Sequence, residues 1–187
     1  MSQRPSPAVV LVRPQEEGNV GAAARAMANM GLTELILVEP APRLERTAYA
    51  FAVGARAILD GATRTASLET ALAPFQRVVG TTSARHRQIG QRIVEPRELP
   101  PLLATDAART RTALVFGPEP SGLNTDELAH CDPLVTVPCS AAQPTLNLAQ
   151  AVLIVAYELA LAKPRDPIGE QPVAAPAGDV DQLLAHL

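Results

Sequence analysis

"AVVLVRPQEEGNVGAAARAMANMGLTELILVEP", residues Ala8 to Pro40, carries the reading of the fold. It opens on a short apolar run with β-branched residues, Ala8–Arg13, and closes on another, Glu34–Pro40; each reads as a buried strand. Between them Val20, Ala24, Met27 and Met30 recur at three- and four-residue spacing, the stripe of a helix packed on one side. Gly31 falls where a left-handed C-terminal cap is expected. Strands with no polar alternation are covered on both faces, and that is the condition of a parallel sheet whose connections are helices.

The alternation continues outward from there. Residues Arg43–Leu59 read as a helix despite Gly54, and "ASLETALAPF" (Ala66–Phe75) as a short one capped by Ser67. "RVVGTT" (Arg77–Thr82), "TALVFG" (Thr112–Gly117) and "LVTVP" (Leu134–Pro138) read as further strands. Leu146–Lys163 is apolar nearly all round, which predicts a largely buried helix. The expected class is α/β, a mainly parallel sheet flanked by helices. Ligands of such sheets sit beyond the carboxyl ends of the strands, so the turns after Val12, Gly80, Phe116 and Val137 matter most.

Composition narrows the classes. With 47% hydrophobic and 19% charged residues the chain suits a folded domain rather than a disordered one. It has no Trp, three Phe and two Tyr, too few for rows of aromatics stacking single-stranded bases. The first residues hold too short an apolar run for a signal peptide and nothing approaches a membrane span, which predicts a cytoplasmic protein without membrane partners. Cys131 and Cys139 lack C-x-x-C spacing and histidine partners, so both read as buried thiols and no metal is expected. The formal charge is −3, which by itself does not point to nucleic acid. Four acids (Asp166, Glu170, Asp179, Asp181) fall after residue 165 with no Lys or Arg among them. Without them 16 basic residues face 15 acids, since 19 less 4 is 15, and all the basic residues but Lys163 are Arg.

After Lys163 the texture changes. "PRDPIGEQPVAAPAG" reads as a proline-rich linker, and "DVDQLLAHL" starts a helix with Val180, Leu183, Leu184 and Leu187 on one face. The expected division is a domain over 1–165 and, over 166–187, the linker with the start of a helical extension.

Several chemistries lack their parts. No G-x-G-x-x-G follows the first strand and no G-x-x-x-x-G-K-[ST] occurs, which disfavours a dinucleotide site and a P-loop. His86, His130 and His186 are scattered, with no H-E-x-x-H and no G-x-S-x-G elbow. Three marked turns remain. In "EEGNVGAAARAM", Asn19 suits a helix N-cap; Arg25 lies about 240° further round the helix and, taken alone, reads as a solvated charge. In "VFGPEPSGL" (Val115–Leu123), Glu119 is held between prolines. In "VPCSAAQPTLNLAQAV" (Val137–Val152), Thr145 is a possible N-cap, and Asn147, near the start of an apolar helix, needs partners.

The conjunction N-x-G-x-x-x-R, F-G-x-E-x-x-G-L and P-T-L-N-x-x-x-A, in that order, resembles the SpoU/TrmH family of SPOUT-superfamily RNA methyltransferases, and is most similar to the tRNA-modifying TrmJ branch. The resemblance spans about residues 8–163 and includes "GLTELILVEP" and "VVGTTSAR". It implies a C-terminal trefoil knot, S-adenosyl-L-methionine as cofactor and a homodimer. Carried onto this chain, it implies cofactor contacts from Thr82, Ser83, Ala84, Gly117, Val137, Pro144, Thr145 and Leu146. It also implies a catalytic set of Arg25, Asn19, Glu119 and Asn147. Thr145 stands where many members have Ser, and Pro120 where polar residues are common; neither removes a defining group.

The activity so implied is methylation of a ribose 2′-hydroxyl in tRNA, at the start of the anticodon loop. The alternatives are an rRNA 2′-O-methyltransferase of the same family and a non-catalytic RNA-binding relative. Arg25 would then stabilise charge on the 2′-oxygen rather than act as a base, since its pKa exceeds about 12. "SARHRQIGQR" is the most basic stretch, and Arg85, Arg87 and Arg92 are its candidate phosphate contacts. A solvated loop in an Arg-rich protein is the competing reading of those three.

Overall fold

The computed structural model describes residues 6–41, 43–83, 90–104 and 110–162. Among these residues seven strands form one sheet: β1 (Ala8–Val12), β2 (Leu35–Val38), β3 (Thr63–Thr65), β4 (Arg77–Thr81), β5 (Ile93–Val94), β6 (Thr112–Phe116) and β7 (Leu134–Val135). Their order is β3-β2-β1-β6-β4-β7-β5, and every pair is parallel. β1 lies between β2 and β6 with all five residues buried. Because the ladder is parallel, the ends of β1, β4, β6 and β7 open on one edge.

Among the described residues seven α-helices accompany the strands: α1 (Glu17–Asn29), α2 (Arg46–Phe51), α3 (Arg56–Asp60), α4 (Leu68–Leu72), α5 (Leu99–Ala104), α6 (Thr125–Ala129) and α7 (Leu148–Leu161). One face of the sheet packs Val9, Leu11, Leu37 and Leu114 against α1, α2, α3 and α7. The other packs Val10, Ile36 and Val115 against α4 and α6. Alternate strand residues feed opposite cores, which is why the strands show no polar face. Among the described residues no helix is long and apolar enough to cross a membrane.

The opening unit forms as its sequence predicts. Val20, Ala24 and Met27 are fully buried, and Gly31 takes a left-handed φ of 71°. Gly21, inside the first motif, has a packing reason: a Cβ there would lie 2.1 Å from the Ala48 carbonyl oxygen. α1 and α2 touch backbone to backbone at that point. Ser67 caps α4 as expected, accepting from Thr70 N–H.

Several expectations need correction. The helix expected over Arg43–Leu59 is two, α2 and α3, broken where Gly54 adopts φ +77°. The strand expected over Leu134–Pro138 pairs only through Leu134–Val135. α7 is not buried all round: Leu148, Val152, Val155 and Ala156 are buried, whereas Leu153, Tyr157 and Leu161 are 38–46% exposed. A single sheet covers only one face of the helix. Strands β3 and β5 and helix α5 are too short or too weakly patterned to stand out in sequence, and α6 too lies outside the expected elements.

Candidate active site

Four chain segments meet at the carboxyl edge of the sheet. β1 ends in a loop, 13–16, that leads into α1; the others follow β4, β6 and β7. A cavity of about 230 Å³ lies among the last three, walled by Phe116, Val135, Val137, Leu146 and Leu148 and edged by Thr81, Thr82, Ser83, Glu119 and Thr145. Of the eight residues expected at a cofactor, seven line this cavity: Thr82, Ser83, Gly117, Val137, Pro144, Thr145 and Leu146. Ala84 lies outside the described residues, as do Arg85 and Arg87. Arg92 is exposed just before β5, its carbonyl accepting from Leu134 N–H at 2.8 Å.

The loop after β6 is shaped by its backbone. A Cβ on Gly117 would fall 2.2 Å from Leu123 N and 2.3 Å from the Gly122 carbonyl carbon. Only glycine lets the chain fold back so tightly, and Gly122 N–H closes the turn on Pro118 O at 2.8 Å. Glu119 thereby faces the start of α1.

Three of the four expected catalytic residues form one hydrogen-bonded chain. Asn147 Nδ2 donates to Asn19 Oδ1 at 2.8 Å, and Asn19 Nδ2 donates to Glu119 Oε1 at 2.8 Å. The second Glu119 oxygen accepts from the Gln15 backbone N–H at 3.0 Å. Asn19 is therefore not the α1 cap: the N-cap position is Glu16, and the amide of Asn19 is spent on the site. Thr145 is not the α7 cap either. Asn147 holds that position, accepting from Ala149 N–H at 2.9 Å, with Gln150 returning to its backbone. Asn147 is thus exposed at a helix end rather than buried within it, which answers the demand for partners. Arg25 is exposed on α1 and makes no hydrogen bond or ion pair among the described residues.

The neighbouring charges were not legible in advance. The Arg13 guanidinium, at the end of β1, donates to Glu127 Oε1 of α6. Burial alone would raise the Glu127 pKa; the Arg13 hydrogen bond and the Asn124 N–H outweigh it and hold the carboxyl below its ordinary value. Asn124-x-x-Glu127 is a capping box, so the sequence could have announced the start of α6, though not its ion pair. Gln15 reaches Glu119 through its backbone N–H, which leaves no side-chain signal. Cys131 is buried as expected, and burial pushes its thiol up to about 12. Cys139 is only partly buried and sits in the cavity wall instead. Among the described residues no group of three or more His, Cys, Asp or Glu could hold a metal ion.

This set suits an adenosine-bearing sulfonium ligand. Carbon-rich walls can enclose a purine, loop backbone and hydroxyls can meet its polar edges, and the Glu119 carboxylate favours a cation nearby.

Comparison with known proteins gives a consistent result. The family described as SpoU rRNA Methylase matches residues 6–157. A tRNA (cytidine/uridine-2'-O-)-methyltransferase TrmJ of Pectobacterium atrosepticum is 39% identical over 184 residues, covering 96% of this chain and 76% of the relative. The TrmJ of Yersinia enterocolitica is 44% identical over 154 residues, covering 82% of this chain and 60% of its own length. The crystal structure of TrmJ from Z. mobilis ZM4 superposes with a TM-score of 0.79 at 33% identity, covering 97% of this chain and 78% of that one.

Proposed function

The chain belongs to the SpoU rRNA methylase family, and on that premise we propose that it transfers a methyl group from S-adenosyl-L-methionine to the ribose 2′-hydroxyl of a cytidine or uridine in tRNA. The observation that carries the proposal is the Asn147–Asn19–Glu119 chain, which reaches the cavity through Glu119, because it joins all three sequence motifs at one point. The names of the similar TrmJ proteins favour tRNA over rRNA, and a site at the start of the anticodon loop goes with that branch. Such a substrate goes with work in the cytoplasm.

Thr82, Ser83, Gly117, Val137, Pro144, Thr145 and Leu146 would hold the cofactor, with Ala84 completing the set. When bound, the cofactor supplies an activated methyl on a sulfonium, so the protein's main task is alignment. Asn147 and Asn19 set the position of Glu119, and Glu119 orients the ribose. Arg25 lies on the same helix as Asn19, free to meet a phosphate or the 2′-oxygen as negative charge builds there. Arg85, Arg87 and Arg92 would grip flanking phosphates, a contact that weakens steeply with salt.

A homodimer belongs with this reading. Leu153, Tyr157 and Leu161 make an exposed apolar row at four-residue spacing on α7, and α1, which carries Arg25, packs against that helix. Exposed apolar rows of this kind suit a self-complementary interface. The methyltransferase unit is assigned to 1–165, with the knot the family shares, and residues 166–187 to a linker and the start of a helical extension.

Incubating the chain with tritiated-methyl cofactor and unmodified tRNA or rRNA tests the reading. Alkali-resistant label in tRNA is expected. Label only in rRNA selects the alternative, and RNA binding without label selects the non-catalytic one.

A further inference from the structure

Arg13 and Glu127 belong to none of the three motifs, yet they form the most enclosed ion pair among the described residues, with the Glu127 side chain 9% exposed. Arg13 ends β1 in a left-handed conformation, φ +44°, which side chains other than glycine rarely adopt. Its N–H is held by Val38 O at 2.8 Å. Its guanidinium meets Glu127 Oε1 and lies 3.9 Å from Glu39, itself at φ +43°. The other Glu127 oxygen accepts from Asn124 N–H at 2.7 Å. Each oxygen of this carboxylate therefore has a partner, one just after β1 and the other at the start of α6.

We propose that Arg13 and Glu127 form a clamp that sets the spacing of the two loops carrying the site, which makes both of them positioning residues for methyl transfer. The proposal rests on the methyltransferase reading above for its chemistry, but on hydrogen bonds alone for its geometry. Two residues after Arg13, Gln15 donates its side-chain amide back to Arg13 O at 2.9 Å and its backbone N–H to Glu119 at 3.0 Å. Glu119 sits in the loop that ends at Asn124, where the capping box of Glu127 begins. One ion pair thus anchors both ends of the Gln15–Glu119 bridge. From that bridge the line continues through Asn19 to Asn147. The strained turn at Arg13 is the kind of feature that persists only where its surroundings enforce it.

Removing one partner would strand the other's charge in a buried place, so the pair is replaced together as Arg13→Met with Glu127→Gln, in the whole chain. The double variant should melt within about 5 °C of the wild type and bind S-adenosylmethionine within about threefold. Single-turnover transfer should slow at least about tenfold with KM for RNA unchanged. The Gln15 amide should exchange with solvent at least about tenfold faster. Arg13→Lys, which keeps the charge, should recover most of both losses. If the double variant does not fold, Arg13→Gln with Glu127→Gln gives the same reading, since it removes both charges together and leaves two neutral amides in their place. A folded variant with unchanged transfer and unchanged Gln15 exchange overturns the clamp. Should the wild type transfer no methyl to any RNA, the methyltransferase reading fails, and Gln15 exchange alone decides the clamp: faster exchange supports it, unchanged exchange overturns it.

Discussion

Asn147 donates its side-chain amide to the side-chain oxygen Oδ1 of Asn19 across 2.8 Å, joining residues 128 positions apart. The contact ties the start of α7 to the first turn of α1, and the same Asn19 passes its own amide to Glu119. Asn19→Ala should therefore separate Glu119 from Asn147 without emptying the core. Transfer is expected to slow by about 10- to 100-fold, with cofactor affinity nearly unchanged. Asn19→Asp should be no better, because a carboxylate cannot donate to Glu119 and repels it. Single-turnover rates with titration of the cofactor decide this; a normal rate for Asn19→Asp removes the relay from the mechanism.

Arg25 offers the opposite test, since it is exposed and bound to nothing among the described residues. Arg25→Ala should leave stability within about 0.5 kcal/mol. If the guanidinium meets the developing charge, transfer should fall by about 10²–10³. Residual transfer above a tenth of wild type, with a normal melt, would sink the catalytic role.

Gly21→Ala pits two effects against each other. Helix propensity favours Ala by about 1 kcal/mol, but the new Cβ would stand 2.1 Å from Ala48 O. Overpacking costs about 1–3 kcal/mol or more, and here the neighbour is backbone, which yields little. Net destabilisation is expected in urea unfolding; a variant as stable as wild type would show that α1 and α2 can part freely.

Acid should reveal the Arg13–Glu127 pair. Folding depresses the Glu127 pKa below its ordinary value of 4.5. A carboxyl so shifted contributes stability above its unfolded pKa and loses it as pH falls through the folded one. Stability should thus hold between about pH 7 and 5 and drop below about pH 4.5. Glu17 and Glu69 shift in the same direction, so the drop is shared. Arg13→Met with Glu127→Gln should flatten it in part, and an identical acid limb in that variant counts against the pair.

The α7 row gives a prediction about assembly. Tyr157→Glu places a charge on a side chain that is 46% exposed in the single chain, so the fold should survive. Light scattering should then show a monomer for the variant and a dimer for the wild type. A wild type that is monomeric at micromolar concentration would remove the interface.

Much of this was legible in the chain itself. Ala8–Val12 and Leu35–Val38 read as buried strands because a strand covered on both faces has no polar side to show. The α1 stripe and Gly31 were legible for the same reason, since helix period and left-handed caps are local properties. Other features escaped because their causes are distant in sequence. The bare face of α7 depends on what else the sheet covers. Asn19 is as good a cap as any Asn until Glu119 and Asn147 claim its amide.

Sequence alone determined the alternation of elements, the parallel sheet and the edge where a site would form, because each follows from short-range pattern. It also supplied three motifs, whose order carried the family. Only the tertiary structure decided that Asn19, Glu119 and Asn147 touch while Arg25 stands apart, and that Arg13 and Glu127 brace the loops between them. Hydrogen bonds across a hundred residues leave no periodic trace, and a backbone donor such as that of Gln15 leaves no trace of side-chain type at all.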